Sequence, residues 1–146
     1  MSKQKIGIFF GGSSSEKEVS LEGGRNVFQK LNRQKYEPLL LFVDDKHILW
    51  HISDKLIVQN TTADLKMRAE KEATRIFLEE LPKLIDFAFI VGHGKFMEDG
   101  RLQGILEILK IPYNGPGVLG AALAGNKLVS RRILESDGID VPRYVP

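Results

Sequence analysis

The 146-residue sequence predicts an α/β fold built on a parallel sheet, and three observations carry that reading. Ile6, Ile8, Phe9 and Phe10 form an apolar run that ends at Gly11-Gly12 and leads into a helical pattern. That is the order of a buried strand, a glycine turn and a helix start. A second apolar run, Tyr36–Val43, completes a strand–helix–strand unit, which calls for parallel strands and a right-handed crossover. A third, Leu84–Val91, is nearly continuous in apolar residues, as in a central strand covered on both sides.

Taken in order, the first strand spans about Lys5–Phe10. A helix over Ser15–Asn32 follows, with Val19, Gly23, Val27 and Leu31 on one face. Ser13-x-x-Glu16 and Ser15-x-x-Glu18 both fit a capping box at its start. Pro38 belongs near the start of the second strand, where a missing N–H is tolerated. Asp44-Asp45-Lys46 reads as a turn and His47–Ile52 as a short strand, which pairs with Leu56–Val58 in a small hairpin. The lone Trp50 covers a core edge. Gln59–Thr74 is polar and weakly periodic, a mobile loop or a loose helix. Gly92–Gly100 is a loop at the end of the late strand, and Leu102, Ile105, Leu106 and Leu109 mark the helix after it. Ile111–Tyr113 is a very short strand and Asn114–Gly117 a turn. Two helices complete the chain, Val118–Ala124 and Asn126–Glu135, the second stopped by Asp137-Gly138. The extended segment that begins near Ile139 and runs through Tyr144 to Pro146 has nothing to pair with, so the chain reads as cut within a longer protein.

Composition narrows the function classes. A net charge of +2 with 27% charged residues is near balance and gives no footprint for nucleic acid or an anionic membrane. There is no cysteine, hence no disulfide and no thiolate metal site, as in a reducing cytoplasm. No apolar run approaches the roughly 18 residues that span a bilayer, and the N-terminus lacks the pattern of a signal peptide.

In open α/β sheets, ligands bind outside the carboxyl ends of the strands. Two loops meet that rule, Gly11–Glu16 and Gly92–Gly100, and Glu16 and His93 face one crevice if their strands are neighbours. Free N–H groups and the peptide dipoles at a helix start favour small polar ligands there. Each residue has two readings. Glu16 is a first-turn acid stabilised by the helix dipole by roughly 0.3–1 kcal/mol, or a fixed carboxylate for a ligand ammonium. His93 is a backbone-bonded loop residue or a catalytic one. Glu98-Asp99-Gly100 forms a turn that caps the next helix through Asp99; His93, Glu98 and Asp99 match no metal-ligand spacing. Lys127 early in a helix opposes the dipole, and a surface lysine is its plain reading. The turn Gly11–Ser15 fails the G-x-G-x-x-G pattern, and Gly120 to Leu128 fails the P-loop because Asn126 precedes Lys127 and Leu128 replaces the hydroxyl residue.

Together GGSSSEKEVS (Gly11–Ser20), the segment from HGKFMEDG (His93–Gly100) through Pro142, and the opening KIGIFF resemble the N-terminal part of D-alanine–D-alanine ligases. The resemblance covers both ends of the chain and skips about Phe42 to Phe87. It implies a Rossmann-like pre-ATP-grasp domain, residues 1–117, with helices on both faces of the sheet, followed by the first helices of an ATP-grasp domain, residues 118–146. Such enzymes phosphorylate the carboxylate of one D-alanine with ATP and magnesium, and a second D-alanine attacks the acyl phosphate, giving the dipeptide of peptidoglycan. On this resemblance Glu16 holds the first D-alanine's ammonium, His93 lies near it, Val19 and Ser20 share the helical turn with Ser20 orienting Glu16, and Lys127 reaches ATP phosphates. It also implies a cytoplasmic homodimer whose magnesium carboxylates lie outside this chain, so that the chain alone is inactive. A non-catalytic α/β binding or dimerisation module, and a ligase joining D-alanine to D-lactate or D-serine, are the alternatives.

Two departures from the family pattern stand out. Met97 replaces a usual glycine, which predicts a bulkier or differently turned His93 loop. Gly125-Asn126 replaces the usual Met-Asp before Lys127.

Overall fold

The computed structural model describes residues 3–144, so the expected extension into Val145-Pro146 lies outside it. In chain order the elements are β1 (Gln4–Gly11), α1 (Lys17–Lys30), β2 (Tyr36–Val43), β3 (Leu49–Ile52), α2 (Thr62–Glu72) and β4 (Thr74–Ile76). Then come α3 (Leu81–Leu84), β5 (Phe87–Ile90), α4 (Arg101–Ile108), α5 (Val118–Gly125) and α6 (Lys127–Ser136).

The five strands form one sheet in the order β4-β3-β2-β1-β5. β1 runs parallel to β2 on one side and to β5 on the other. It is buried from Ile6 to Gly11 because both faces of the sheet are covered. Ile6, Ile8 and Phe10 enter one core with Leu21 of α1 and Leu65 and Ala69 of α2. Phe9 enters the other with Leu102 and Leu106 of α4 and Leu81 of α3. A strand with apolar neighbours above and below reads as a continuous apolar run, which is what β1 shows.

The expected parallel sheet holds for β1, β2 and β5 only. β3 pairs antiparallel with β2, and β4 antiparallel with β3. The short turn between β2 and β3 leaves no room for a crossover, so the chain must reverse. Asp44 organises that turn. Its buried carboxylate accepts the Lys46 and Ile48 N–H groups at 2.8 and 2.9 Å and the Trp50 indole N–H at 3.2 Å. Trp50 itself packs half-buried on the core edge, as expected.

Other boundaries move for local reasons. Leu56–Val58 forms no strand: Leu56 and Ile57 are buried in a turn, held by the Arg25 guanidinium on the carbonyls of Ile57 and Gln59 at 2.9 and 2.5 Å. Of the two readings of Gln59–Thr74, loop or loose helix, the helix holds: the segment contains α2, capped by the Thr61 hydroxyl accepting the Asp64 N–H at 3.0 Å. α2 buries only Thr62, Leu65 and Ala69, too few for a clear period. The late strand is shorter than expected, because Leu81–Leu84 is a helical turn with Pro82 at its start, where proline loses no helix bond. Ile111–Tyr113 reduces to a single bridge from Tyr113 to Ala88. No helix among the described residues is long and apolar enough to cross a membrane.

Candidate functional site

Because β1 and β5 are parallel neighbours, the loops that follow them leave the sheet at the same end, side by side. The Gly11–Glu16 turn and the Gly92–Gly100 loop therefore meet, and the two corners are clasped by Ser14. Its hydroxyl donates to the His93 carbonyl at 2.7 Å and accepts the Glu16 N–H at 3.2 Å. Gly94 makes the approach possible: it sits at φ +72°, and a Cβ there would lie 2.7 Å from the Ser14 Cβ.

At this junction Glu16, His93 and Glu98 each aim one polar atom inward, all within 4.8 Å of one another. His93 Nδ1 lies 3.4 Å from Glu98 Oε1, while the other Glu98 oxygen accepts the Gly94 N–H at 2.7 Å. The second bond fixes the carboxylate so that its first oxygen faces the imidazole. All three side chains remain solvent-accessible. A cleft of about 270 Å³ meets the group at Glu98, walled by Gly92, Met97, Glu98, Asn114 and Ala121. Two carboxylates and an imidazole converging beside a small concavity suit a compact cation, and an ammonium most directly, since N–H···O⁻ bonds to carboxylates are charge-assisted.

The loop is held from behind. Gln103 is buried, donating to the Met97 carbonyl at 2.8 Å and accepting the Gly100 N–H at 3.1 Å. Asn114 bonds both the N–H and the carbonyl of Ile90, at 2.6 and 3.1 Å, fixing the end of β5. Asp99 accepts the Phe96 N–H at 2.9 Å and pairs with the Arg101 guanidinium at 2.5 Å. That guanidinium, with the backbone donors, pulls the Asp99 pKa from 3.8 to about 2 against the opposing effect of burial. Asp99 thus bonds the Arg101 N–H as a helix-start residue, although the cap position itself is Gly100 in the left-handed conformation. Met97 is fully buried. It fills the space over Gly92, where a Cβ would come within 2.2 Å of its terminal methyl. The bulk at this position goes into the core, not into the junction.

The model of the D-ala D-ala ligase N-terminus family matches residues 5–116. The chain belongs to this family. A D-alanine–D-alanine ligase of Carboxydothermus hydrogenoformans is 37% identical over 97% of the chain. Among solved structures, the VanG D-Ala:D-Ser ligase of Enterococcus faecalis superposes with a TM-score of 0.81 at 28% identity over 97% of the chain. The D-alanine–D-alanine ligase of Bacillus anthracis complexed with ATP gives 0.65 at 32% identity over 97%. The chain spans 36%, 44% and 39% of these proteins respectively.

Against the D-alanine–D-alanine ligase pattern, the remaining expected residues divide. Ser20 is buried at the base of the junction, but its hydroxyl accepts the Gly11 N–H at 2.8 Å, and only its backbone N–H reaches the Glu16 carbonyl, at 3.1 Å. Ser20 therefore fixes the glycine corner rather than the Glu16 carboxylate. Val19 projects into solvent, 61% exposed. Lys127 is exposed at the first position of α6 and is not among the side chains gathered at the junction. The capping boxes do not form either. Glu16 occupies the cap position of α1 without a side-chain bond, and Glu18 turns to the start of α2, accepting from the Thr62 N–H and hydroxyl at 2.9 and 2.6 Å. Of the residues that assemble the junction, Glu98 was legible only as part of a turn, and nothing local set Ser14 apart from Ser13 and Ser15.

Neither ATP nor magnesium finds a complete set here. Lys127 is the one expected phosphate-binding residue, and the Glu16–His93–Glu98 group mixes imidazole with carboxylates where magnesium prefers oxygen donors alone.

Proposed function

We propose that this chain supplies the first-substrate site of an ATP-dependent D-alanine–D-alanine ligase, with Glu16 and Glu98 holding the ammonium of D-alanine and His93 steering Glu98. The observation that carries this is the convergence of the three side chains within 4.8 Å at the carboxyl ends of adjacent parallel strands, in a chain of this family. An ammonium has three donors, and the anchored Glu98 carboxylate together with that of Glu16 satisfies it while placing the amino acid's own carboxylate away from them by repulsion,. ATP, when bound by the whole protein, supplies the phosphoryl group that activates that carboxylate. This chain's residues bind and orient the acceptor.

The same reading divides the chain at Gly117. The match to the family model stops at residue 116, and the helices after it leave Leu119, Val129, Ile133 and Leu134 exposed, as expected of the first part of a further domain. Lys127 as an ATP-phosphate contact, magnesium, a cytoplasmic homodimer and a product used in peptidoglycan belong to this reading through the motif resemblance.

The test is release of ADP by the full-length protein with magnesium-ATP and D-alanine, with the product identified by mass spectrometry. D-Alanine-dependent ADP release and the D-alanyl dipeptide are expected. D-Serine joins the assay because a D-Ala:D-Ser ligase is among the superposing structures; a mixed dipeptide formed in preference to D-alanyl-D-alanine would assign the second substrate differently. No amino-acid-dependent hydrolysis would leave a binding or dimerisation module.

A further inference from the structure

Three non-glycine residues among those described have left-handed backbones: His47 (φ 61°), Phe96 (φ 74°) and Lys110 (φ 57°). Lys110 follows the end of α4, where this conformation is ordinary. The other two face each other. The His47 and Phe96 rings stack with centroids 4.3 Å apart and planes 10° from parallel. His47 Nε2 also shares a hydrogen bond with the Ser13 hydroxyl at 3.0 Å. A backbone in this sparsely populated region persists only where its surroundings hold it, and such residues gather at functional sites.

The arrangement links three strand mouths. Ser13 follows β1, His47 follows β2 and Phe96 follows β5. Ser13 precedes Ser14, which holds both Glu16 and His93. Phe96 lies midway between His93 and Glu98, with its N–H on Asp99 and its carbonyl accepting the Leu102 N–H at 3.2 Å. Met97, next to Phe96, is locked in the core. The stack thus bears on the junction from both of its loops, through Ser13 in the Glu16 turn and Phe96 in the His93–Glu98 loop.

We infer that His47 and Phe96 are positioning residues: their stack, tied to Ser13, fixes the spacing between the Glu16 turn and the His93–Glu98 loop and so sets affinity for the first substrate's ammonium. This rests on the ligase reading above. Neither residue touches the reacting atoms, so its loss acts on substrate affinity more than on turnover.

The test uses the full-length protein with His47→Gly, Phe96→Leu, Ser13→Ala and His47→Phe. Glycine relieves the left-handed backbone while removing the ring, so a purely conformational role for residue 47 predicts unchanged kinetics. Our inference predicts that His47→Gly and Phe96→Leu raise KM for the first D-alanine about fivefold, the scale of one aromatic pair, with kcat within about twofold. Ser13→Ala shifts KM in the same direction by less, and His47→Phe, which keeps a ring for the stack, recovers part of the loss. Unchanged KM in His47→Gly, or a fall in kcat with KM unchanged, overturns the inference. Hydrogen exchange at residues 93–99 separates this from failure of the ligase reading. Faster exchange in His47→Gly supports the stack's role even in a protein without ligase activity, and unchanged exchange rejects it.

Discussion

The Ser14 hydroxyl donates to the His93 carbonyl across 79 residues of sequence, at 2.7 Å. It also accepts the Glu16 N–H, so one side chain sets where the acid and the imidazole stand relative to each other. Ser14→Ala deletes both bonds without altering a charge. A neutral hydrogen bond is worth about 0.5–1.5 kcal/mol net. On the proposed ligase reading, the full-length protein should therefore show a KM for the first D-alanine raised about three- to tenfold. Steady-state kinetics with one substrate varied is the check.

Ser20 acts one layer below. Its buried hydroxyl is the acceptor for the Gly11 N–H. Ser20→Ala leaves that N–H without a partner in the interior, at a cost of about 1–3 kcal/mol. Urea denaturation should show a lower midpoint with an unchanged slope.

Met97 and Gly92 form a tight pair. Met97→Ala removes a fully buried side chain and should destabilise by about 2–5 kcal/mol. Gly92→Ala forces a methyl against Met97, an overpacking that costs about 1–3 kcal/mol. In the double variant the new methyl enters the space that methionine vacates. Its loss should be smaller than the sum of the two single losses, a coupling of about 0.5–3 kcal/mol. A double-mutant cycle in urea measures it.

Asp99 makes the loop acid-sensitive. Its carboxyl titrates at about 2 in the fold against an ordinary 3.8, so the unfolded chain binds the proton first as pH falls. The stability it contributes is complete above 3.8 and is lost as pH drops toward 2,. Asp99→Asn has no such carboxyl. Denaturant unfolding across that window should show a steeper loss in the wild type than in Asp99→Asn.

What was legible in the sequence followed from long apolar runs and glycine turns. β1 and β2 emerge within a residue or so of their apolar limits, and the proximity of Glu16 and His93 follows once β5 neighbours β1, a relationship that the fold class supplies and no local pattern encodes. α2 was obscured because a helix burying only Thr62, Leu65 and Ala69 has almost no apolar stripe; Thr61-x-x-Asp64 was its one local mark. The capping boxes were misleading for a tertiary reason. Ser13 of the first box turns to His47 and Glu18 of the second to Thr62, partners distant in sequence. The sequence also gave no hint that Met97 would point inward, since that depends on the open space over Gly92.

The central claim is that the Glu16 carboxylate receives an ammonium, and Glu16→Gln tests it most directly because it removes the charge and keeps the shape. Hydrogen bonds to charged groups contribute about 1.5–3 kcal/mol. On the proposed ligase reading, KM for the first D-alanine in the full-length protein should then rise about 10- to 100-fold, or turnover should be lost, with the fold intact by circular dichroism. Wild-type KM and kcat in that variant would contradict the account.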